Sequence, residues 1–399
     1  MEQSPDPICQ DCDFSVERKK SMFRLSEDQV MMRDLARDLA QKKFKAIAAE
    51  IDEEERFPRE NIDALAEAGI LGCWLPEEYG GAGTDFLSFI LANEEVAKVC
   101  GSTSSIISTH CVSMTCVYQF GTEEQKAKYL PLMAEGHLMG FALTEPNAGS
   151  DANGMTTKAE KVEGGWVLNG AKMFISSAPA NDFHIVIAVT GVNEKGGKEF
   201  TAFLVDKDAP GFSVGKHIHK MGIRGSLTAE IVFEDCRVAD SQVLGQVGKG
   251  MKIALASLDT GRICMGTQAL GIAQGALDET YRYVSERMQF GKRLSQFQDV
   301  QFGLANLQTK VDAGRLLLWR AAMLKDQGEP FSTEAAMGKL YNSDVAMEVT
   351  TECVQYHGGY GYSREYPLER MMRDAKITQI YEGANAIQKM VIARALGVK

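Results

Sequence analysis

The chain has 399 residues, a formal net charge of −11 at pH 7, 45% hydrophobic residues and 24% charged residues. That size allows two or three domains with large cores, and the composition is ordinary for a soluble globular protein. The acidic balance argues against nucleic-acid or anionic-membrane binding, which needs clustered Lys and Arg, and no apolar run approaches the roughly 20 residues of a membrane span.

Residues 1–21 carry Pro5 and Pro7 with mixed charge and no periodicity, and read as a flexible N-terminal arm. No secretory signal or transit peptide is visible there, so a cytoplasmic location is expected, or the mitochondrial matrix if the source is eukaryotic. Cys9 and Cys12 form a lone Cys-x-x-Cys. A metal site needs about four ligands, and no second pair or nearby His completes one. A tail without function is favoured, with a redox or partner-specific role as the alternative. The other cysteines (Cys73, Cys100, Cys111, Cys116, Cys236, Cys264 and Cys353) lie in apolar segments and read as small buried hydrophobes in a reducing compartment.

Residues 22–138 read as a helical domain. Ser26 with Gln29 suggests a capping box, after which Val30, Leu35, Leu39 and Phe44 recur at roughly helical spacing. Phe57-Pro58 starts a second helix, and 86–99 and 104–120 predict two more, the last nearly uncharged and therefore buried. Thr122 to Gln125 opens another. Over 139–245 the period changes. Trp166, Leu168, Met173 and Ile175 alternate with polar residues, and Ile185 to Val189 is a continuous apolar run between Gly-rich turns. An antiparallel β-barrel or sandwich is predicted. Over 246–399 helical periodicity returns in segments at 251–289, 297–325, 333–356 and 386–396, which predict a four-helix bundle. The fold class is thus α+β multidomain, in the order helical, β, helical.

Dinucleotide and metal motifs are missing. The Gly245 to Gly250 stretch lacks the βαβ context of a Rossmann site, and the six histidines are dispersed, so no metal is expected. The informative stretches are Phe141 to Asp151, a strand entering a turn rich in backbone donors, and Lys172 to Ser176, with an aromatic followed two places later by a hydroxyl. Arg287 to Gly291 with Gln298, and Gln355 to Gly361, are helix ends running into polar or Gly-rich loops. Each has an ordinary structural reading as strand, cap or turn. Glu382 sits in Ile380-Tyr381-Glu382-Gly383, where apolar neighbours should raise its pKa toward that of a general base working near neutrality.

Taken together and in this order, these segments resemble the acyl-CoA dehydrogenase family, most closely its short-chain, butyryl-CoA branch, from about residue 22 to the end. The resemblance implies FAD held without a Rossmann fold. Phe141, Leu143, Thr144 and Ser150 match its flavin-lining stretch. Phe174 and Ser176 match positions usually held by Trp and Thr beside the isoalloxazine. Arg287, Gln298, Gln355, Gly358 and Gly359 match residues reaching the FAD of a neighbouring subunit, which implies a homo-oligomer, typically a tetramer. Ser150, Asp259, Arg262, Tyr381 and Gly383 match acyl-CoA contacts.

Glu382 matches the base that removes the pro-R α-proton while the β-hydride goes to flavin N5, giving the trans-2-enoyl-CoA. Some branches carry the base at the position of Gly261, which cannot serve here. After Glu-Gly the family usually has Thr or Ser, a variable residue, then Glu or Gln; Ala384, Asn385 and Ala386 stand here, so weaker FAD retention is expected. No arginine stands near Thr103, where glutaryl-type members carry one, which disfavours a dicarboxylic thioester; Lys220 to Leu227 and Leu258 to Arg262 look most like the short-chain branch, and the small residues over Gly101 to Ser108 also leave space for a branched or cyclic acyl group. Electrons would pass to an electron-transfer flavoprotein. Alternatives are an enoyl-CoA reductase, a flavin oxidase, or a non-catalytic CoA- or flavin-binding scaffold.

Overall fold

The computed structural model describes residues 24–398; Cys9 and Cys12 lie outside them. Ser26 opens α1 (Glu27–Leu39) with a reciprocal cap: its Oγ accepts from Gln29 N at 3.2 Å, and Gln29 Oε1 accepts from Ser26 N at 2.9 Å. The helix runs on through a π turn (Ala40–Phe44) into α2 (Lys45–Glu53). Its fully buried face is Met32, Ala36, Ala40 and Phe44; of the others expected from spacing, Leu39 is half-buried against the same core, Val30 is half-buried and Leu35 is exposed. The two alanines let α1 approach α4 (Phe86–Ala97), every residue of which is buried. Between them comes α3 (Arg59–Glu67). The long α5 (Gly101–Phe120) and the capped α6 (Glu123–Ala134) complete the first helical layer.

The strands β1 (Met139–Ala142), β2 (Lys158–Val162), β3 (Gly165–Ser176), β4 (Phe183–Val192), β5 (Lys198–Asp206), β6 (Phe212–His217), β7 (Thr228–Ala239) and β8 (Val243–Leu244) form one eight-stranded sheet in the order β6-β7-β3-β2-β4-β5-β8, with β1 beside β4. The sheet is not wholly antiparallel as expected. Both β1 and β2 run parallel to β4, because the long excursion from Leu143 to Thr157 replaces a hairpin between them. Ile185 and Ile187 face α5 and α6, while Val186 and Ala188 face a second core built from β3, β5 and β7. Burial on both faces explains the unbroken apolar run. In β3 the alternation shifts: register breaks separate Lys172 from Ile175, and Phe174 sits at φ 60°. Lys172, not Met173, is the fully buried member.

The chain returns to helix with α7 (Gly250–Glu286), which ends before Arg287, sooner than predicted. A short hairpin follows, β9 (Met288–Gln289) and β10 (Lys292–Arg293), then α8 (Gln298–Asp326), α9 (Ser332–His357), the single turn α10 (Gly359–Tyr362), α11 (Leu368–Ile377) and α12 (Asn385–Ala395). The α11 helix has no counterpart in the predicted bundle of four. Helix α7 packs against α9, α8, α5 and α4, so it belongs to both helical parts. No helix among the described residues is long and apolar enough to cross a membrane.

Two charged contacts join the layers. On α11, Arg373 donates to Asp52 of α2 (2.6 and 3.1 Å), to Glu369 (2.7 and 2.8 Å) and to the Met221 carbonyl (3.0 Å). All the N–H groups of its fork are thereby used. In the sheet, Lys172 Nζ donates to Glu145 Oε1 at 2.8 Å and to the Leu143 carbonyl at 3.1 Å, with both charged side chains buried. Glu145 also accepts from the N–H groups of Thr156 and Thr157. Removing one partner of such a pair strands the other charge away from water. Lys172→Met should therefore lower the unfolding free energy by about 3–5 kcal/mol in urea titrations; a change below about 1 kcal/mol would mean that the pair is not desolvated.

Candidate functional site

The residues singled out from sequence fall into three sets. The first surrounds Glu382, on the turn between α11 and α12. Glu382 adopts φ 52° and Gly383 φ 87°, a left-handed pair that a non-glycine residue holds only when its surroundings impose it. Three contacts impose it. The Lys339 ammonium donates to the Gly383 carbonyl and to Asn385 Oδ1, each at 2.9 Å. Gln388, buried on the first turn of α12, donates to the carbonyls of Glu382 (3.1 Å) and Gly383 (2.7 Å). Asn385 Nδ2 donates to Ser343 Oγ and Asp344 Oδ1, each at 2.9 Å.

The side chain then points at α7. A β-carbon on Gly261 would lie 2.5 Å from Glu382 Oε2 and 3.3 Å from a methyl of Val112 on α5. The carboxylate thus occupies the space that Gly261 leaves open. Glu382 is half-buried as a residue, yet Oε2 is out of solvent and has no hydrogen-bond partner. Loss of hydration pushes its pKa up to about 7, against the opposing pull of the Arg262 and Lys339 charges. Burial in turn lowers Lys339 to about 8. Of the sequence neighbours, Ile380 does not contribute to the desolvation, being 54% exposed. The apolar surroundings come from α5 and α7.

Arg262 is buried and ion-paired with Asp259, whose other contact is Ser332 Oγ at 2.9 Å. Tyr381 donates to Gln268 Oε1, and Gln268 Nε2 donates to the Gly101 carbonyl at 3.1 Å. Tyr381, Glu382, Gly383, Asp259 and Arg262 are thereby gathered around one stretch of α7. Lys339, Gln388 and Gln268 were not foreseen. A lysine in the run Ala335-Ala336-Met337-Gly338-Lys339 was a usable signal, since small residues on both sides mark a tightly packed face.

The second set lies on the sheet. Met173 N donates to the Thr144 carbonyl at 2.9 Å, and the Lys172–Glu145 pair clamps the same two segments. Leu143, Thr144, Phe174 and Ser176 are therefore held side by side, with Phe141 at the end of β1. Ser150 is exposed on the loop that follows. The Phe174 ring is 61% exposed. Helix α5 stands between the two sets: Met139 N meets His110 Nδ1 at 3.4 Å, and Val112 faces Gly261.

The third set lies at the far ends of α7 and α9. The Arg287 guanidinium sits 5.4 Å from the centre of the Tyr360 ring, beside Gly358 and Gly359, and Gln298 and Gln355 are exposed. Among the described residues, the hydrogen bonds do not link this set to Glu382 within one chain. The last helix starts without a side-chain cap, because Ala384 occupies its N-cap position.

A carboxyl with a folded pKa near 7 and an unfolded value near 4.3 is less tolerated charged than neutral in the folded state. Its stabilising contribution is present below the unfolded value and is lost as pH rises through 7. Glu382→Gln removes that loss. The variant should gain stability over the parent on going from pH 5 to pH 8, by up to about 3 kcal/mol in urea unfolding. A difference that stays flat with pH would show that the carboxyl is not desolvated.

Three family models cover the chain: acyl-CoA dehydrogenase N-terminal domain over residues 26–137, middle domain over 140–236 and C-terminal domain over 248–397. An acryloyl-CoA reductase (NADH) of Anaerotignum propionicum is 48% identical over 382 residues, covering 95% of this chain and 97% of its own. The solved butyryl-CoA dehydrogenase of Megasphaera elsdenii superposes with a TM-score of 0.92 at 46% identity, covering 94% of this chain and 99% of its own. A chain from a structure of the electron transferring flavoprotein of Acidaminococcus fermentans, described in terms of flavin-based electron bifurcation, gives 0.91 at 48% identity, with coverage of 94% and 99%. With the helix–sheet–helix order and the Glu382 pocket, these matches identify the chain as a member of the acyl-CoA dehydrogenase family.

Proposed function

We propose that the chain catalyses FAD-dependent α,β-dehydrogenation of a short-chain acyl-CoA, with Glu382 taking the α-proton. The observation that carries this reading is the orphaned Oε2, which faces the gap at Gly261 with its pKa near 7. Such a carboxyl accepts a proton readily at neutral pH, and no protein hydrogen bond has to break first. Gly261 lets the carboxylate lie against α7, where the reacting carbon of an acyl chain would have to come to it. Arg262, buried and paired with Asp259, keeps positive charge near the carboxylate as it titrates. The strained turn offers the Glu382 N–H for the thioester oxygen, an oxyanion-type contact.

The sheet segments fit a flavin. Phe174 presents an apolar ring to solvent from a backbone at φ 60°, an arrangement that a stacking heterocycle would cover. Leu143, Thr144, Ser150 and Ser176 would hold the ring system. FAD supplies the acceptor for the β-hydride when bound. Arg287, Gln298, Gln355, Gly358 and Gly359 would serve the FAD of a neighbouring subunit in a homotetramer, which accounts for their separation from Glu382 in one chain. An electron-transfer flavoprotein is the proposed electron acceptor, in keeping with the Acidaminococcus fermentans structure. The Anaerotignum propionicum relative, named for reduction of acryloyl-CoA, favours a second reading in which flux runs toward the saturated thioester. The same residues serve both directions, Glu382 then returning the proton.

Anaerobic addition of butyryl-CoA, or of a panel of acyl-CoAs, should bleach the flavin band near about 450 nm. Glu382→Gln should bind the thioester but bleach about 10²–10⁴-fold more slowly. If no thioester bleaches the protein the dehydrogenase reading fails, and full activity in Glu382→Gln would remove the base assignment.

Ala384 and Ala386 bear on cofactor retention. Neither can offer FAD a side-chain hydrogen bond, and Ala384 leaves α12 uncapped. Asn385, anchored by Lys339, Ser343 and Asp344, fixes the turn by other means. Ala384→Thr should supply the missing cap, raise stability by about 1 kcal/mol and slow the loss of FAD during gel filtration in high salt. Unchanged retention would show that the alanine is neutral.

A further inference from the structure

A second cluster of chemistry-bearing side chains lies at the junction of the first helical layer and the sheet. Glu55 stands on the turn after α2, at φ 50°. His217 ends β6, and His219 follows two residues later. Glu55 Oε2 and His219 Nδ1 are 2.8 Å apart, and the two imidazole rings are 4.9 Å apart between centroids. One potential ligand atom from each of the three residues lies within 4.8 Å of the others. His217 Nε2 is out of solvent and has no hydrogen-bond partner. A buried imidazole nitrogen without a partner is a group that a ligand would satisfy.

The backbone on both sides is fixed. Arg373 holds Asp52, three residues before Glu55, and the Met221 carbonyl, two residues after His219. Gly225 sits so close to α2 that a β-carbon there would come within 2.3 Å of Ile51 and 3.1 Å of the Arg56 carbonyl. Gly225 N also donates to Ser102 Oγ at 3.1 Å. Lys220, next to His219, is turned to the Ser226 carbonyl at 3.0 Å, and Arg56, next to Glu55, is paired with Glu50 and Glu60.

We propose that Glu55, His217 and His219 bind one divalent transition-metal ion of the zinc class. Two imidazoles and one carboxylate suit Zn²⁺, Ni²⁺ or Co²⁺ rather than Mg²⁺ or Ca²⁺, which prefer oxygen donors. A tetrahedral ion with bonds of about 2.1 Å wants its ligands about 3.4 Å apart, so small side-chain rotations close the site. Coordination through His219 Nδ1 places the ring proton on Nε2, in a side chain that is 79% exposed. The ion would replace the Glu55–His219 hydrogen bond and take up the unpartnered His217 nitrogen. Three protein ligands leave one position for water. The site lies outside the Glu382 pocket, so it would tie the α2 turn to the end of β6 without entering the chemistry, and it stands whatever the substrate.

The test uses the untagged full-length chain carrying Cys9→Ser and Cys12→Ser, which removes competing tail thiols. Calorimetric titration with Zn²⁺, and separately Ni²⁺, should show one ion per chain with Kd below about 10 μM, and the melting temperature should rise with metal. His219→Ala, at an exposed position that tolerates truncation, and Glu55→Gln should each weaken binding at least about tenfold. Absence of saturable binding in a chain that melts normally would overturn the proposal. So would binding left unchanged by both substitutions, which would mark the ion as held elsewhere.

Discussion

The carboxyl of Glu382 occupies the volume that a side chain at position 261 would fill, and much of the pocket follows from that exchange. Any β-carbon on α7 at this point would collide with Oε2. Helix α7 can therefore press against the α11–α12 turn only with glycine there. The close approach excludes water from one carboxylate oxygen and raises its proton affinity. Lys339 and Arg262 set the opposite limit: their charges favour the ionised carboxylate and pull its proton affinity back down. The poise near neutrality is a balance between these two effects, and residues from α5, α7, α9 and α12 contribute to it.

Much of the architecture was legible in the chain. The switch from helical to strand period near residue 139 and back near 250 separates the three parts, and the Ser26/Gln29 and Thr122/Gln125 caps are local devices that their spacing announces. Spacing alone points to the large apolar residues as the inward face of α1, whereas close packing on α4 selects Ala36 and Ala40 and leaves Leu35 exposed. The helix α11 escaped notice because it is short and charged, with its buried positions including Asp374. Parallel pairing in the sheet leaves no trace in a strand's own alternation.

The site shows the same division. Glu382, Tyr381, Gly383, Arg262 and Asp259 could be nominated because they lie in recognisable segments. Gln388 and Gln268 could not, and Lys339 only through its small neighbours, because each acts through contacts distant in sequence or through backbone carbonyls. The desolvation of Glu382 owes nothing to Ile380, which faces outward, since pKa shifts depend on neighbours in space. The anomaly at Ala384 to Ala386 also reads differently in three dimensions. Asn385 is bound by three side chains of α9, so the turn holds its shape although the side chains usual in the family are absent.

Arg373 has a consequence for how the molecule comes apart. Its guanidinium connects α2, the loop after β6 and its own helix, with every N–H engaged. Neither helical part can swing away from the sheet without uncovering that charge and its carboxylates together. Partial opening along the domain seams is thus costly relative to fraying at the chain ends, and this corner of the molecule should behave as one cooperative foldon, not as three modules that exchange their amide protons independently.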